Sequence, residues 1–304
     1  MFDCHRSRLH SIVRCFALLA LGGSLCFAGE KSLIKQVTPV KRLPQVIISA
    51  EAVGDLRLWI PEAVMSNVGT ASIYPVGDEW QEKNKSMHHI VNEKNLFAHA
   101  TFKKIDKQTI EFYGSRLPLD GPVRWNTKVK KGQDDSVEFE IQLTNKGTRE
   151  MKKACAAVCL KFNNAPWWAD ERTYVLSGGE IKTLADLGRD AGRRYHPNPF
   201  QLYLLKDESF DNRFYHDVWG VNRNTLDHPV MISEHRKAGL CVGITAVKAY
   251  FLHSNRGNPC TDLMLAFGDL APGQTVTSSG RVWIKRGSAK EILTALRKSS
   301  GSGE

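Results

Sequence analysis

Residues 136–144 alternate without a break. Val137, Phe139, Ile141 and Leu143 fall on one side, and Glu138, Glu140, Gln142 and Thr144 on the other. Successive side chains of a strand point to opposite faces, so this is a strand with one face buried and one in water. The same residues wound as a helix would carry charge into the apolar face. Asn145-Lys146-Gly147 then reads as a turn, with glycine available for positive φ. The stretch 154–162 is apolar on both sides, Ala156, Val158, Leu160 and Phe162 against Cys155, Ala157 and Cys159. A strand of that kind belongs inside a stacked sheet, not at an edge.

Strand patterning continues through most of the chain. Further strands are expected near 46–48 and 56–60, at 96–102 and 109–113, and at 172–177, 180–184, 200–205, 240–252 and 262–267. A last hairpin is expected from 274–277 and 281–284, turning through Ser278-Ser279-Gly280. One helix stands out at Ala289–Arg297, where Ser288 and Glu291 have capping-box spacing and Ile292, Leu293 and Leu296 share a face. Segments 163–171 and 186–199 read as loops, and no repeat or linker divides the chain. The fold class is therefore all-β: a large antiparallel β-sandwich over 45–298 with one C-terminal helix. Residues 29–44, with Pro39 and Pro44, read as an exposed leader, and 299–304 as a flexible tail.

Residues 1–28 carry Arg6, Arg8 and Arg14, then an apolar run from Cys15 to Phe27 closed by Ala28. This is the layout of a secretory signal peptide; an N-terminal anchor is the alternative. The run is shorter than the roughly 20 residues of a membrane helix, so no integral span is expected after its removal. The remaining chain has 39 basic against 31 acidic residues. That modest excess suits solubility or an anionic polymer. Nucleic acid is not an expected partner, for there is no recognition-helix motif, no RNP-like aromatic string and no long basic block. Cys155, Cys159, Cys241 and Cys260 remain after the leader. In an exported chain they permit two disulfides, with one or both of Cys155 and Cys159 joined to Cys241 and Cys260; four buried thiols are the alternative. Cys155 and Cys159 share a face about 13 Å apart, too far to join each other.

Leu143-Thr144-Asn145-Lys146-Gly147 leading into the strand to Phe162, and the closing run Phe267-Gly268-Asp269-Leu270-Ala271-Pro272-Gly273-Gln274-Thr275-Val276-Thr277, come in an order that resembles the galactose-mutarotase-like supersandwich over roughly residues 45–285. The chain also resembles exported proteins of environmental bacteria. The first resemblance implies a supersandwich and a role in handling sugars.

Chemistry-bearing residues concentrate in the irregular segments. Arg193 and Arg194 beside Tyr195-His196 are suited to a sugar carboxylate, because guanidinium pairs with it bidentately. In Phe214-Tyr215-His216-Asp217-Val218-Trp219, His216 and Asp217 are candidate acid–base groups and Trp219 a stacking surface for a sugar ring. His196 is a second catalytic candidate. Trp167 and Trp168 form either a sugar platform or a plug under their loop. Asn255 and Asn258 are placed either to hydrogen-bond sugar hydroxyls or to satisfy their own turn. His88, His89 and His99 fit no metal-ligand spacing, and HExxH and HxH are absent; no metal and no cofactor is expected. P-loop, GxGxxG and GxSxG motifs are absent too. Three readings follow: an exported carbohydrate-binding or accessory sandwich, a mutarotase, epimerase or polysaccharide lyase on the same scaffold, and a structural envelope protein.

Overall fold

The structure is a computed structural model and describes residues 31–41, 43–65, 101–116, 123–162, 165, 167–190, 199–209 and 220–301. The strands in chain order are β1 (Gln36–Pro39), β2 (Gln45–Ser49), β3 (Leu56–Met65), β4 (Thr101–Lys104), β5 (Thr109–Arg116) and β6 (Val123–Lys131). Next come β7 (Ser136–Asn145), β8 (Met151–Lys161), β9 (Thr173–Ser177), β10 (Glu180–Thr183), β11 (Phe200–Leu204) and β12 (Gly220–Val221). The last are β13 (Val230–His235), β14 (Leu240–Ala246), β15 (Ala249–Asn255), β16 (Cys260–Leu270) and β17 (Thr275–Arg286). Two helices, α1 (Leu184–Leu187) and α2 (Ala289–Gly301), complete the set. Among the described residues, no helix is long and apolar enough to cross a membrane.

The strands form two stacked sheets. Sheet I runs β1-β2-β3-β8-β16-β15-β11-β12 and sheet II runs β10-β9-β13-β14-β17-β7-β6-β5-β4. Named strand pairs among the described residues are antiparallel except β11–β12. This is the antiparallel sandwich with a C-terminal helix that the patterning called for. On β7, Val137, Phe139, Ile141 and Leu143 enter the core between the sheets while Glu138, Glu140 and Gln142 meet solvent. From sheet I, Leu56, Leu58, Val158, Leu160, Leu263 and Leu265 meet them there. Strand β8 is buried on both faces and lies between β3 and β16.

Four local expectations are corrected. Ser278-Ser279-Gly280 is not a turn but the middle of the continuous strand β17. A Cβ on Gly280 would lie 2.4 Å from the Thr245 carbonyl and 2.6 Å from the Phe139 ring, so the glycine serves close packing with both neighbouring strands. Second, the stretch 240–252 divides into β14 in sheet II and β15 in sheet I. Third, residues 36–39, within the stretch read as a leader, form an edge strand, and Ile34 is fully buried. Pro39 is tolerated because an edge strand leaves one row of amides unpaired. Helix α2 reaches Gly301, beyond the expected end at Arg297.

Candidate functional site

Sheet I buries its outer face as well as its core face. Directly opposed residues of an antiparallel pair project to the same face. The register therefore lays one row across six strands: Gln45 opposite Trp59, Trp59 opposite Cys159, Cys159 opposite Asp262, Asp262 opposite His253, and His253 opposite Leu202. A second row beside it runs Arg57, Lys161, Cys260, Asn255, Phe200. Glu62 joins the group through an irregularity in β3. Between the pairs Trp59–Cys159 and Ala63–Ala157, three residues of β3 face the single Val158 of β8. The extra length brings Glu62 within reach of Cys159, Lys161 and Asp262.

Gln45, Glu62, Cys159, Lys161, His253, Cys260 and Asp262 are all buried, and His253 is completely so. Burying this many polar and ionisable groups costs free energy unless each is paired or used. Asp262 accepts a 2.8 Å hydrogen bond from His253 Nδ1. Phe200 stacks on the His253 ring, 6.0 Å between centroids. Lys161 Nζ lies 5.6 Å from the Trp59 ring centroid. Burial, with the Asp262 carboxylate nearby, raises the Glu62 carboxyl from 4.5 to about 7, against the opposing pull of Lys161 and Cys159. Burial likewise pushes the Cys159 thiol well above its ordinary range. At Cys260 the hydrogen bond with Cys159 pulls down, but burial and the neighbouring carboxylates prevail and the thiol rises to about 12. Among the buried side chains, Gln45 Nε2 and Trp59 Nε1, two donors, and Asp262 Oδ1, an acceptor, have no hydrogen-bond partner.

A second polar network underlies the β11 and β15 end of the row, on the core side. Arg189 binds Asp170 bidentately, Nε to Oδ2 at 2.8 Å and Nη2 to Oδ1 at 2.7 Å. It also donates to the Pro199 carbonyl at 2.8 Å and to Ser254 Oγ at 3.3 Å. Gln201 clasps the Asp190 backbone from both sides, accepting from its N–H and donating to its carbonyl. Gly220 must be glycine for this, since a Cβ there would meet Gln201 Nε2 at 2.1 Å and the Asp190 carbonyl at 2.4 Å. Arg189, Asp190 and Pro199 are thus held at the β11 and β15 end of sheet I.

The residues expected from sequence fare unequally. Arg193, Arg194, His196, His216, Asp217 and Trp219 lie outside the described residues, as do His88, His89, His99 and the leader 1–28. Trp167 and Trp168 are described, and they plug the core. Trp167 Nε1 donates to the Val53 carbonyl at 2.8 Å, and both rings pack on Phe162. The loop after β8 folds back over Phe162, and burying two indoles there outweighs presenting them to a sugar. Asn255 Oδ1 accepts from the Gly257 and Asn258 amides, so this asparagine closes its own turn.

The expected disulfides give way to the four-thiol alternative: Cys155, Cys159, Cys241 and Cys260 are all free and buried. Cys241 sits in sheet II and bonds the Gly287 carbonyl, while the other three belong to sheet I. Cys159 and Cys260 are neighbours, but diagonal ones, since Cys159 opposes Asp262 and Cys260 opposes Lys161.

Glu62, Lys161, Asp262 and His253 were not singled out as a site from sequence. Their signal was present as polar residues at outward positions of strands otherwise apolar on both faces, namely Cys159 and Lys161 after Ala157, and Asp262 before Met264. Three solved structures match the chain at low identity. A galactose 1-epimerase from Lactobacillus acidophilus NCFM matches at 9% identity and a TM-score of 0.42, over 80% of this chain and 94% of that one. A GalM/aldose epimerase homologue from C. elegans matches at 9% and 0.44, over 80% and 92%. A galactose mutarotase-like protein from Clostridium acetobutylicum matches at 12% and 0.42, over 77% and 80%. No protein-family model matches the chain, and no curated protein matches it in sequence. No residue role is carried over from these structures.

Proposed function

We propose that the protein is exported and acts on carbohydrate at the outer face of sheet I. One observation carries this reading. Two buried donors, Gln45 Nε2 and Trp59 Nε1, stand without protein partners on the same face as Glu62 and His253, each of which is held by a neighbour. A polyhydroxylated ring supplies acceptors for the first pair and exchangeable protons for the second. Trp59 and Phe200, both half-buried at the margin, offer flat apolar surface for the C–H face of a ring.

In this reading Asp262 holds the His253 ring by its Nδ1 and fixes the orientation of the imidazole in the row. The test is calorimetric titration with neutral and acidic oligosaccharides, followed by proton NMR of whichever is bound. Saturable binding, lost in Trp59→Ala, is expected, with turnover abolished in Glu62→Gln while binding persists. Binding without turnover in the native chain would leave an accessory binding protein. Absence of binding across the panel, with the protein folded, would end the carbohydrate reading.

A further inference from the structure

We infer that Cys159, Cys260 and Asp262 form a binding site for one thiophilic divalent cation of the zinc class. The inference is independent of the carbohydrate reading.

The sulfurs of Cys159 and Cys260 and a carboxylate oxygen of Asp262 lie within 4.8 Å of one another. Tetrahedral zinc, with sulfur at about 2.3 Å and oxygen at about 2.0 Å, needs ligand atoms about 3.5–3.8 Å apart. Small side-chain rotations close that difference. The backbone already supplies the convergence. Cys159 is directly opposite Asp262, and Cys260 is two residues before Asp262 on the same strand, so all three project from the same side of sheet I. None depends on a loop.

The carboxylate is used on one side only. Asp262 Oδ2 is held by His253 Nδ1, and Oδ1 is buried with no partner. A histidine that fixes a ligating carboxylate while its second oxygen faces the ion is an outer-shell arrangement common around metals. Glu62, in hydrogen-bond contact with Cys159, stands beside the open fourth position. Two thiolates and a carboxylate around a dication leave one net negative charge, and the buried Lys161 lies next to it.

The diagonal relation of the two cysteines also favours an ion over a disulfide. Diagonal neighbours have Cα atoms about 7–8 Å apart, beyond the span that a disulfide prefers. An ion between the sulfurs accommodates the longer separation. No local motif joins the three ligands, because they come from two strands a hundred residues apart and no CxxC pair announces them. The soft sulfur pair selects zinc or its spectroscopic stand-in cobalt over magnesium or calcium.

The test uses the purified chain, reduced with a phosphine, stripped with a chelator and titrated with cobalt chloride and then zinc chloride. The expected result is one equivalent of cobalt with a thiolate-to-cobalt charge-transfer band, displaced by zinc. Cys159→Ser and Cys260→Ser should each weaken binding roughly 100-fold or more and remove or shift the band, and Asp262→Asn should weaken it roughly 10–100-fold. Cys241→Ser, in the other sheet, should bind as the native chain does. Should the serine variants fail to fold, thiol alkylation of the native chain in urea dilute enough to keep the fold but sufficient to open the buried thiols still decides: zinc should protect Cys159 and Cys260 and leave Cys155 and Cys241 unprotected. The site is overturned if the folded, reduced chain shows no charge-transfer band, if the doubly substituted chain titrates unchanged, or if zinc protects no thiol.

Discussion

Asn145 donates one side-chain hydrogen bond to the Leu270 carbonyl at 2.9 Å and another to the Arg149 carbonyl at 2.7 Å. Residue 145 ends β7 in sheet II, and residue 270 ends β16 in sheet I. One carboxamide therefore ties together two of the places where the chain crosses between sheets, after β7 and after β16. The Gly273 amide adds a 2.7 Å bond to the Asn145 carbonyl.

Replacing Asn145 by alanine should cost about 1–3 kcal/mol, because the buried Leu270 carbonyl loses a partner that water cannot readily replace. Urea denaturation at neutral pH measures this. A loss below about 0.5 kcal/mol would show that the crossover is held by its backbone bonds alone.

The Arg189–Asp170 pair is nearly fully buried and bidentate. Breaking it from one side, as in Asp170→Asn, should destabilise the protein by about 3–5 kcal/mol, since the guanidinium is left in low dielectric without its counter-charge. A paired apolar replacement of both residues should cost much less than the sum of the single changes. Additive losses in that double-mutant cycle would deny the coupling.

The two tryptophan environments should separate in experiment. Trp167→Ala should lower stability by about 3–5 kcal/mol, as truncation of a buried indole does, without altering the affinity of folded protein for a sugar. Trp59→Ala should do the reverse, with a small stability loss and a large affinity loss. Equal behaviour of the two variants would remove the distinction between core and site.

Asp190 has its carboxyl held below 3.8 by hydrogen bonding to the Arg223 side chain, partly opposed by burial. A group with a lowered folded-state value contributes stability that is present above 3.8 and lost as pH falls through the folded value. Asp190→Asn should therefore be less stable than the native chain at neutral pH and equal to it under strongly acid conditions. Arg223 is largely exposed, so the difference should be under about 1 kcal/mol. Chemical denaturation at several pH values tests it, and a gap that widens toward acid would contradict the assignment.

The sandwich was legible because it is written in side-chain period. The alternation on β7 and the double-sided apolar run of β8 each carry their own instruction, independent of distant residues. The hairpin expected at Ser278–Gly280 misread a glycine whose function is to let the Phe139 ring and the Thr245 carbonyl come close, a requirement set by two other strands. The Trp167–Trp168 platform failed for a similar reason: the partner that buries both indoles, Phe162, sits across a loop. The Glu62, Cys159, Asp262 and His253 row exists only through strand register, and adjacency between residues 62, 159 and 262 has no local trace.

The strand order of sheet I also bears on how the molecule comes into being. Strand β8 pairs with β3 on one side and β16 on the other, and β15 reaches the sheet only through β16. Each of these pairings except β15–β16 closes a long loop, which places the fold among the slow, topologically complex β proteins that acquire structure on the order of milliseconds to seconds. A nascent chain ending at Asn255 would hold β3, β8 and β15 but lack the strand that lies between β8 and β15. The row is therefore not assembled piecemeal as the polypeptide emerges. It is complete only once residues 260–270 are in place, since a product truncated before them lacks Cys260 and Asp262 and leaves Cys159 and His253 without the strand that joins them.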